Sequence, residues 1–151
     1  MADYYVYTDG ACSNNGKKNA RAGIGVYFGE NDNRNISKKV IGKQSNNTAE
    51  LTAIIEAIKV IEDDLLQNKI VEIKTDSTYA IKCATTYGSK CAALFWVKDM
   101  PNKELVRELY ELVNGREKNI ILSYIKAHSN LLDQHSIGNK NADLLATNSL
   151  I

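Results

Sequence analysis

The chain of 151 residues lacks a charge excess of either sign: nineteen lysines and arginines face eighteen aspartates and glutamates, leaving a formal charge of +1. Composition alone therefore carries no electrostatic footprint of a charge-driven nucleic-acid binder. Missing too is any apolar run close to the roughly 18 residues of a membrane span, and the opening MADYYVY has no basic segment ahead of an apolar one. No membrane association is expected, and an intracellular site follows. Cysteine is scarce: Cys12, Cys83 and Cys91 are odd in number and form no C-x-x-C pair. That argues against a disulfide framework or a zinc site and suits free thiols in a reducing compartment, cytoplasm or nucleus. Neither internal repeat, low-complexity tract nor linker interrupts the chain, so one domain over residues 1–151 with a single core is expected.

What is present is a change of hydrophobic period. YYVYT (Tyr4 to Thr8), AGIGVYF (Ala22 to Phe28) and ISKKVIG (Ile36 to Gly42) are rich in β-branched and aromatic residues, with Gly- and Asn-rich connections between them. They read as three consecutive antiparallel strands. From Thr48 the apolar positions Leu51, Ile54, Ile55, Ile58, Ile61 and Leu65 recur at helical spacing and predict one long amphipathic helix. VEIKT (Val71 to Thr75) is a fourth strand, Ser77 to about Thr86 a helix, and Tyr87 to Pro101 has no clear period. Leu105, Leu109, Leu112 and Val113 form another helical stripe, with Asn102 placed as N-cap and Gly115 as the stop. IILSYIKA (Ile120 to Ala127) is a fifth strand, and Asn139 to Leu150 a closing helix. The pattern implies an α/β fold with a five-stranded mixed sheet, three antiparallel strands and then two parallel ones, flanked by helices.

Four carboxylates fall at junctions of these elements. Asp9 ends the first strand, Asp76 ends the fourth, and Glu50 and Asp143 lie in the first turns of two helices. Singly, each has a structural explanation. Asn47 with Glu50 resembles a capping box, Asp76 precedes helical STYAIK as an N-cap would, Asp143 suits a helix dipole, and Asp9 could hold a turn. Together they suggest more. If strands one and four are parallel neighbours, both aspartates leave one sheet edge, where ligands bind in open α/β sheets. Carboxylates crowded there would repel one another unless cations bound them, and hard oxygen donors suit Mg²⁺ or Mn²⁺. Two divalent ions about 4 Å apart, acting on a phosphodiester, is the implied chemistry.

YTDGACSNNG with RAGIGVYFG, then NNTAELTAIIEAI, KTDSTYAI, KAHS and GNKNADLLA, resembles the cellular type 1 ribonuclease H domain in order and spacing over nearly the whole chain. The resemblance implies a ribonuclease H-like fold. It also implies a two-metal (Mg²⁺, with Mn²⁺ as substitute) endonuclease that hydrolyses the RNA strand of RNA/DNA hybrids to 5′-phosphate and 3′-hydroxyl ends. Asp9, Glu50, Asp76 and Asp143 take the positions of the family's metal tetrad. Asn15, Asn46 and Asn47 match residues that touch the hybrid's minor groove, where the ribose 2′-hydroxyl distinguishes RNA from DNA. Lys43, Ser45 and Asn102 match a pocket that grips a phosphate of the DNA strand, and Tyr79 and Tyr87 fall beside that strand. Polar turns and half-buried tyrosines are the plainer explanations of SNNG, SNNT and the tyrosine pair.

Two departures from the pattern stand out. His128 in KAHS takes the position of a mobile histidine near the leaving group, yet it lies fifteen positions before Asp143, and the added NLLDQ brings in a second candidate, His135. Between Tyr87 and Pro101, where many relatives have a region dense in lysine and tryptophan that clamps the hybrid, this chain has Lys90, Trp96 and Lys98. Fewer phosphate contacts imply a shallow salt dependence. Because the first strand starts almost at once, no N-terminal hybrid-binding module is expected, and the chain is expected to act as a monomer. The alternatives are a hybrid-binding module that does not cut, and another nuclease or strand-transfer enzyme on the same architecture.

Overall fold

The computed structural model describes residues 1–127 and 132–151. Its sheet is built from β1 (Tyr4–Ser13), β2 (Arg21–Tyr27), β3 (Ile36–Lys39), β4 (Val71–Thr75) and β5 (Ile120–Tyr124), in the order β3-β2-β1-β4-β5. The first three strands pair antiparallel, while β1–β4 and β4–β5 pair parallel. Helices α1 (Asn46–Val60) and α2 (Glu62–Leu66) lead from β3 to β4; α3 (Thr78–Ala84), α4 (Thr86–Ala93) and α5 (Lys103–Val113) lead from β4 to β5; α6 (Gln134–Asn148) closes the chain. Parallel pairing is possible because each of these connections is long enough to return the chain to the starting edge.

The main core lies between the sheet and α1. Leu51, Ile54 and Ile58, fully buried on one stripe of α1, meet Val6, Val26, Val71 and Ile73 from the strands and Val106 and Leu109 from α5. Burial of each such side chain contributes about 1.5–3 kcal/mol, so this layer holds the strand ends in place. On the opposite face α6 crosses β1 and β2 on small residues, with Ala142 and Ala146 lying over Gly23 and Gly25. Among the described residues no helix is long and apolar enough to cross a membrane.

Several element boundaries differ from the sequence expectation. β1 does not stop at Thr8. It continues to Ser13 because β2 pairs with it as far as Ser13–Arg21, which places Asp9 inside the strand opposite Gly25. The long helix breaks at Ile61, and the bend keeps Ile61 and Leu65 both in the core. Its N-cap is Ser45, in a reciprocal box with Thr48 rather than one between Asn47 and Glu50, so Glu50 sits in the second turn. β5 ends at Tyr124, three residues early. α6 begins at Gln134 under an Asp133 cap, well ahead of Asn139, which puts Asp143 in mid-helix. Tyr87 to Pro101 supplies α4 and a turn in which Phe95 and Trp96 both take positive φ. Trp96 is there buried against Tyr110, whereas Leu94, Phe95 and Val97 are exposed. Asn102 occupies the N-cap position of α5 in a left-handed conformation, but its side chain makes no cap. Gly115, at positive φ, ends that helix as expected.

Candidate active site

The parallel pairing of β1 with β4 places Thr8 beside Thr75, so the next residues, Asp9 and Asp76, stand side by side. α1 approaches the same edge over Gly10, where a β-carbon would lie 2.6 Å from Ala49 Cβ and 2.7 Å from the Glu50 nitrogen. Only glycine allows that approach, and it delivers Glu50 to the two aspartates. One carboxylate oxygen from each of Asp9, Glu50 and Asp76 lies within 4.8 Å of the other two. Asp143 reaches Asp9 from α6 on the other face of the sheet, and all four carboxylates line one open groove of about 400 Å³. Asn46, Asn47, Ser77, Tyr79 and Ala127 complete its walls.

The caps that the sequence offered as alternative roles are made by other residues. Ser45 Oγ accepts from Thr48 N at 3.0 Å, Ser77 Oγ accepts from Ala80 N at 3.0 Å, and Asp133 Oδ1 accepts from His135 N and Ser136 N. Capping therefore does not explain Glu50, Asp76 or Asp143. Electrostatics point the same way. Burial, and then the charges of Asp76 and Asp143, push the Asp9 carboxyl up from 3.8 to about 8, against a modest opposing effect from the Gly10 N–H that donates to its Oδ1 at 2.9 Å. Burial, with Asp9 and Asp76 close by, raises Glu50 well above 4.5. Among the described residues, the buried Glu50 Oε1 has no hydrogen-bond partner. Two negative charges forced upward and an orphaned acceptor describe a site that fits a hard divalent cation: oxygen donors only, converging from four elements, with their repulsion relieved by metal charge.

The residues matched to substrate contacts divide into two groups. Asn46 and Asn47 are the first exposed residues of α1 and face the groove, and Asn15, in the turn after β1, accepts from Asn46 N through its Oδ1 at 3.1 Å, joining the two asparagine clusters. Lys43 and Asn102 line a separate cavity of about 420 Å³ with Thr48 and Lys103. Ser45 is engaged in the α1 cap and does not line it; Thr48 does, with its hydroxyl already donating to the Lys43 carbonyl at 2.8 Å. Asn102 donates to Tyr79 Oη at 3.2 Å, and its own buried Oδ1 has no partner among the described residues. Tyr79 thus links the two cavities, whereas Tyr87 contacts Met100 through its hydroxyl at 3.6 Å. Sequence reasoning missed Gly10; the D-G step in YTDGA was the available signal for it.

His128 lies outside the described residues. The other candidate histidine, His135, is part of the fold: its Nδ1 lies 2.8 Å from Tyr7 Oη and its ring packs edge-on against Tyr5 at 4.7 Å. It does not line the groove.

Known proteins bear on this geometry. Ribonuclease H of Schizosaccharomyces pombe is 40% identical over 151 residues, covering 93% of this chain and 50% of that protein. Ribonuclease H1 of Mus musculus is 39% identical over 145 residues, covering 93% of this chain and 48% of its own length. The chain thus spans about half the length of these relatives. Among solved structures, LC11-RNase H1 in complex with an RNA/DNA hybrid superposes with a TM-score of 0.58 at 23% identity, over 96% of this chain and 94% of that one. The sheet order and helix placement are therefore those of an RNase H domain. A family model for RNase H matches residues 1–151, and the chain belongs to that family.

Proposed function

We propose that the chain is a divalent-metal-dependent endonuclease that hydrolyses the RNA strand of RNA/DNA hybrids, leaving 5′-phosphate and 3′-hydroxyl ends. The observation that carries this reading is the convergence of Asp9, Glu50, Asp76 and Asp143 on one groove whose rim is formed by the amides of Asn46 and Asn47. Family membership and the structural likeness to LC11-RNase H1, which was solved on a hybrid, support it. All four carboxylates come from a single chain, so the reading calls for a monomer.

Asp9, Glu50 and Asp76 would hold one ion between them, and Asp9 with Asp143 would serve a second; Mg²⁺ suits these oxygens and Mn²⁺ would substitute. The chemistry such ions supply when bound is activation of an attacking water and stabilisation of charge on the leaving oxygen. The protein's own contribution is positioning. Gly10 N–H fixes one oxygen of Asp9, the α1 backbone at Ala49 sets the depth of Glu50, and α6 sets that of Asp143. Asn46 and Asn47 present groups that both donate and accept, as recognition of a 2′-hydroxyl needs. The first turn of α1, which lines the groove through Asn46 and Asn47, has no acidic side chain of its own, so the positive end of the helix favours a nearby phosphate. Lys43 and Asn102, with Ser45 beside them at the head of α1, would take a phosphate of the paired DNA strand.

Labelled hybrid, duplex RNA and duplex DNA, each incubated with the protein and Mg²⁺, test the reading. RNA cleavage confined to the hybrid, with 5′-phosphate products, is expected. Hybrid binding without cleavage, or equal cleavage of all three duplexes, would overturn it.

A further inference from the structure

α6 carries Asp143 across a surface of small residues on which its backbone is closely seated. Beneath it β2 presents Gly23 and Gly25, which offer no side chains to interlock with the helix. A displacement of one residue along the axis is only 1.5 Å. That distance is comparable with a Mg²⁺–oxygen bond of 2.0–2.1 Å, in a coordination shell that tolerates little distortion. Something must therefore index α6 against β1.

Two contacts do so, one on either side of Asp143. Toward the C-terminus, Ser37 Oγ donates to the Leu145 carbonyl at 2.6 Å. Toward the N-terminus, Tyr7 Oη and His135 Nδ1 lie 2.8 Å apart, the His135 ring stands edge-on to Tyr5 at 4.7 Å, and Gly138 brings the helix backbone down onto the Tyr7 ring, where any β-carbon would collide. Tyr7 and Asp9 are alternate residues of β1 and so point to the same face of the sheet. His135 and Asp143 are two turns apart on α6, about 12 Å along its axis. The first pair in each element thus registers the second.

Resting on the metal-dependent reading above, we infer that His135 is the positioning residue for Asp143, acting through Tyr7 to hold α6 at the depth where Asp143 can share an ion with Asp9. His135 is then not the mobile histidine of the reaction. It acts through a carboxylate and touches neither substrate nor metal.

The test uses the full chain and Mn²⁺ alone, titrated by calorimetry, alongside Mg²⁺-dependent cleavage of a hybrid. His135→Phe keeps the ring against Tyr5 and removes the Nδ1 partner of the Tyr7 hydroxyl; Tyr7→Phe keeps the ring over Gly138 and removes the hydroxyl. Each should weaken the Mn²⁺ site that Asp143→Asn also weakens, by about tenfold, as loss of groups that orient metal ligands does. The Mg²⁺ concentration for half-maximal cleavage should rise with KM for the hybrid unchanged. The double variant should be no worse than either single one, and His135→Gln, which restores a hydrogen-bonding partner, should recover most of the affinity. A lowered melting temperature with an unchanged Mn²⁺ titration would overturn the inference, as would additive losses in the double variant. If the unsubstituted protein takes up no Mn²⁺ that Asp9→Asn abolishes, the functional reading itself fails; if that uptake stands and only the His135 and Tyr7 variants are silent, this inference alone falls.

Discussion

Replacing Asp9 with asparagine should make the metal-free protein more stable, although it removes a residue central to the site. Asp9 is 5% exposed and its carboxyl is pushed up from 3.8 to about 8 by burial and by Asp76 and Asp143. In the unfolded chain the group is ionised above about pH 4, so between pH 4 and 8 the folded state binds a proton that the unfolded state does not. Stability therefore falls as pH rises through that window, the penalty being absent below about 4 and complete above about 8. At 1.36 kcal/mol per pH unit, the interval from 3.8 to 7 sets a ceiling of about 4 kcal/mol. Water entering the open groove relieves part of it, so about 2 kcal/mol is expected, or a rise in Tm of about 4–8 °C for a domain of this size. The neutral amide of Asp9→Asn escapes the penalty. Thermal unfolding in EDTA at pH 7 should show the variant melting higher, and at pH 4 the two should coincide. With Mg²⁺ at 100 times its Kd the order should reverse, because binding adds about 2.7 kcal/mol to the original chain only. A variant less stable in EDTA at pH 7, or a difference that does not change with pH, would refute the electrostatic reasoning.

Asp76→Asn should abolish hybrid cleavage while leaving the circular dichroism spectrum intact; retained turnover would remove Asp76 from the site. Gly10→Ala forces a β-carbon against Ala49 and the Glu50 nitrogen, so it should cost about 1–3 kcal/mol in urea unfolding and weaken Mn²⁺ binding as α1 is pushed away. Ser45→Ala removes the α1 cap and should cost about 1 kcal/mol, with a similar loss for Ser77→Ala at α3. Leu51→Ala, at a fully buried position, should cost about 2–5 kcal/mol with little change in metal affinity per folded molecule.

The strands and the four carboxylates could be read from the sequence because their signals are local: β-branched runs for Val71–Thr75 and Ile120–Tyr124, and acidic residues set in the short motifs YTDG, TAEL, KTDS and NADL. The start of α6 could not. Its first turns, QHSIGN, have no apolar stripe, since they pack through Gly138 onto Tyr7, with Ser136 and Asn139 buried, instead of through large side chains. The extension of β1 through DGACS was hidden for a similar reason, as Gly10 is needed by α1 and the strand is maintained by pairing with β2 rather than by its own propensity. Tyr87 to Pro101 defeats periodicity because its buried positions are Gly88 and a left-handed Trp96. At the site, family resemblance suggested Ser45 for the phosphate pocket; that its side chain also caps α1 through Thr48 shows only in the folded path of the Gly42–Ser45 loop.

Anomalous diffraction from crystals soaked in Mn²⁺ tests the central claim most directly. Manganese peaks within coordination distance of Asp9, Glu50 and Asp76, with a further peak shared by Asp9 and Asp143 when hybrid is bound, are the predicted result. Ions found only elsewhere on the surface, with any of the four carboxylates turned away from the groove, would contradict it.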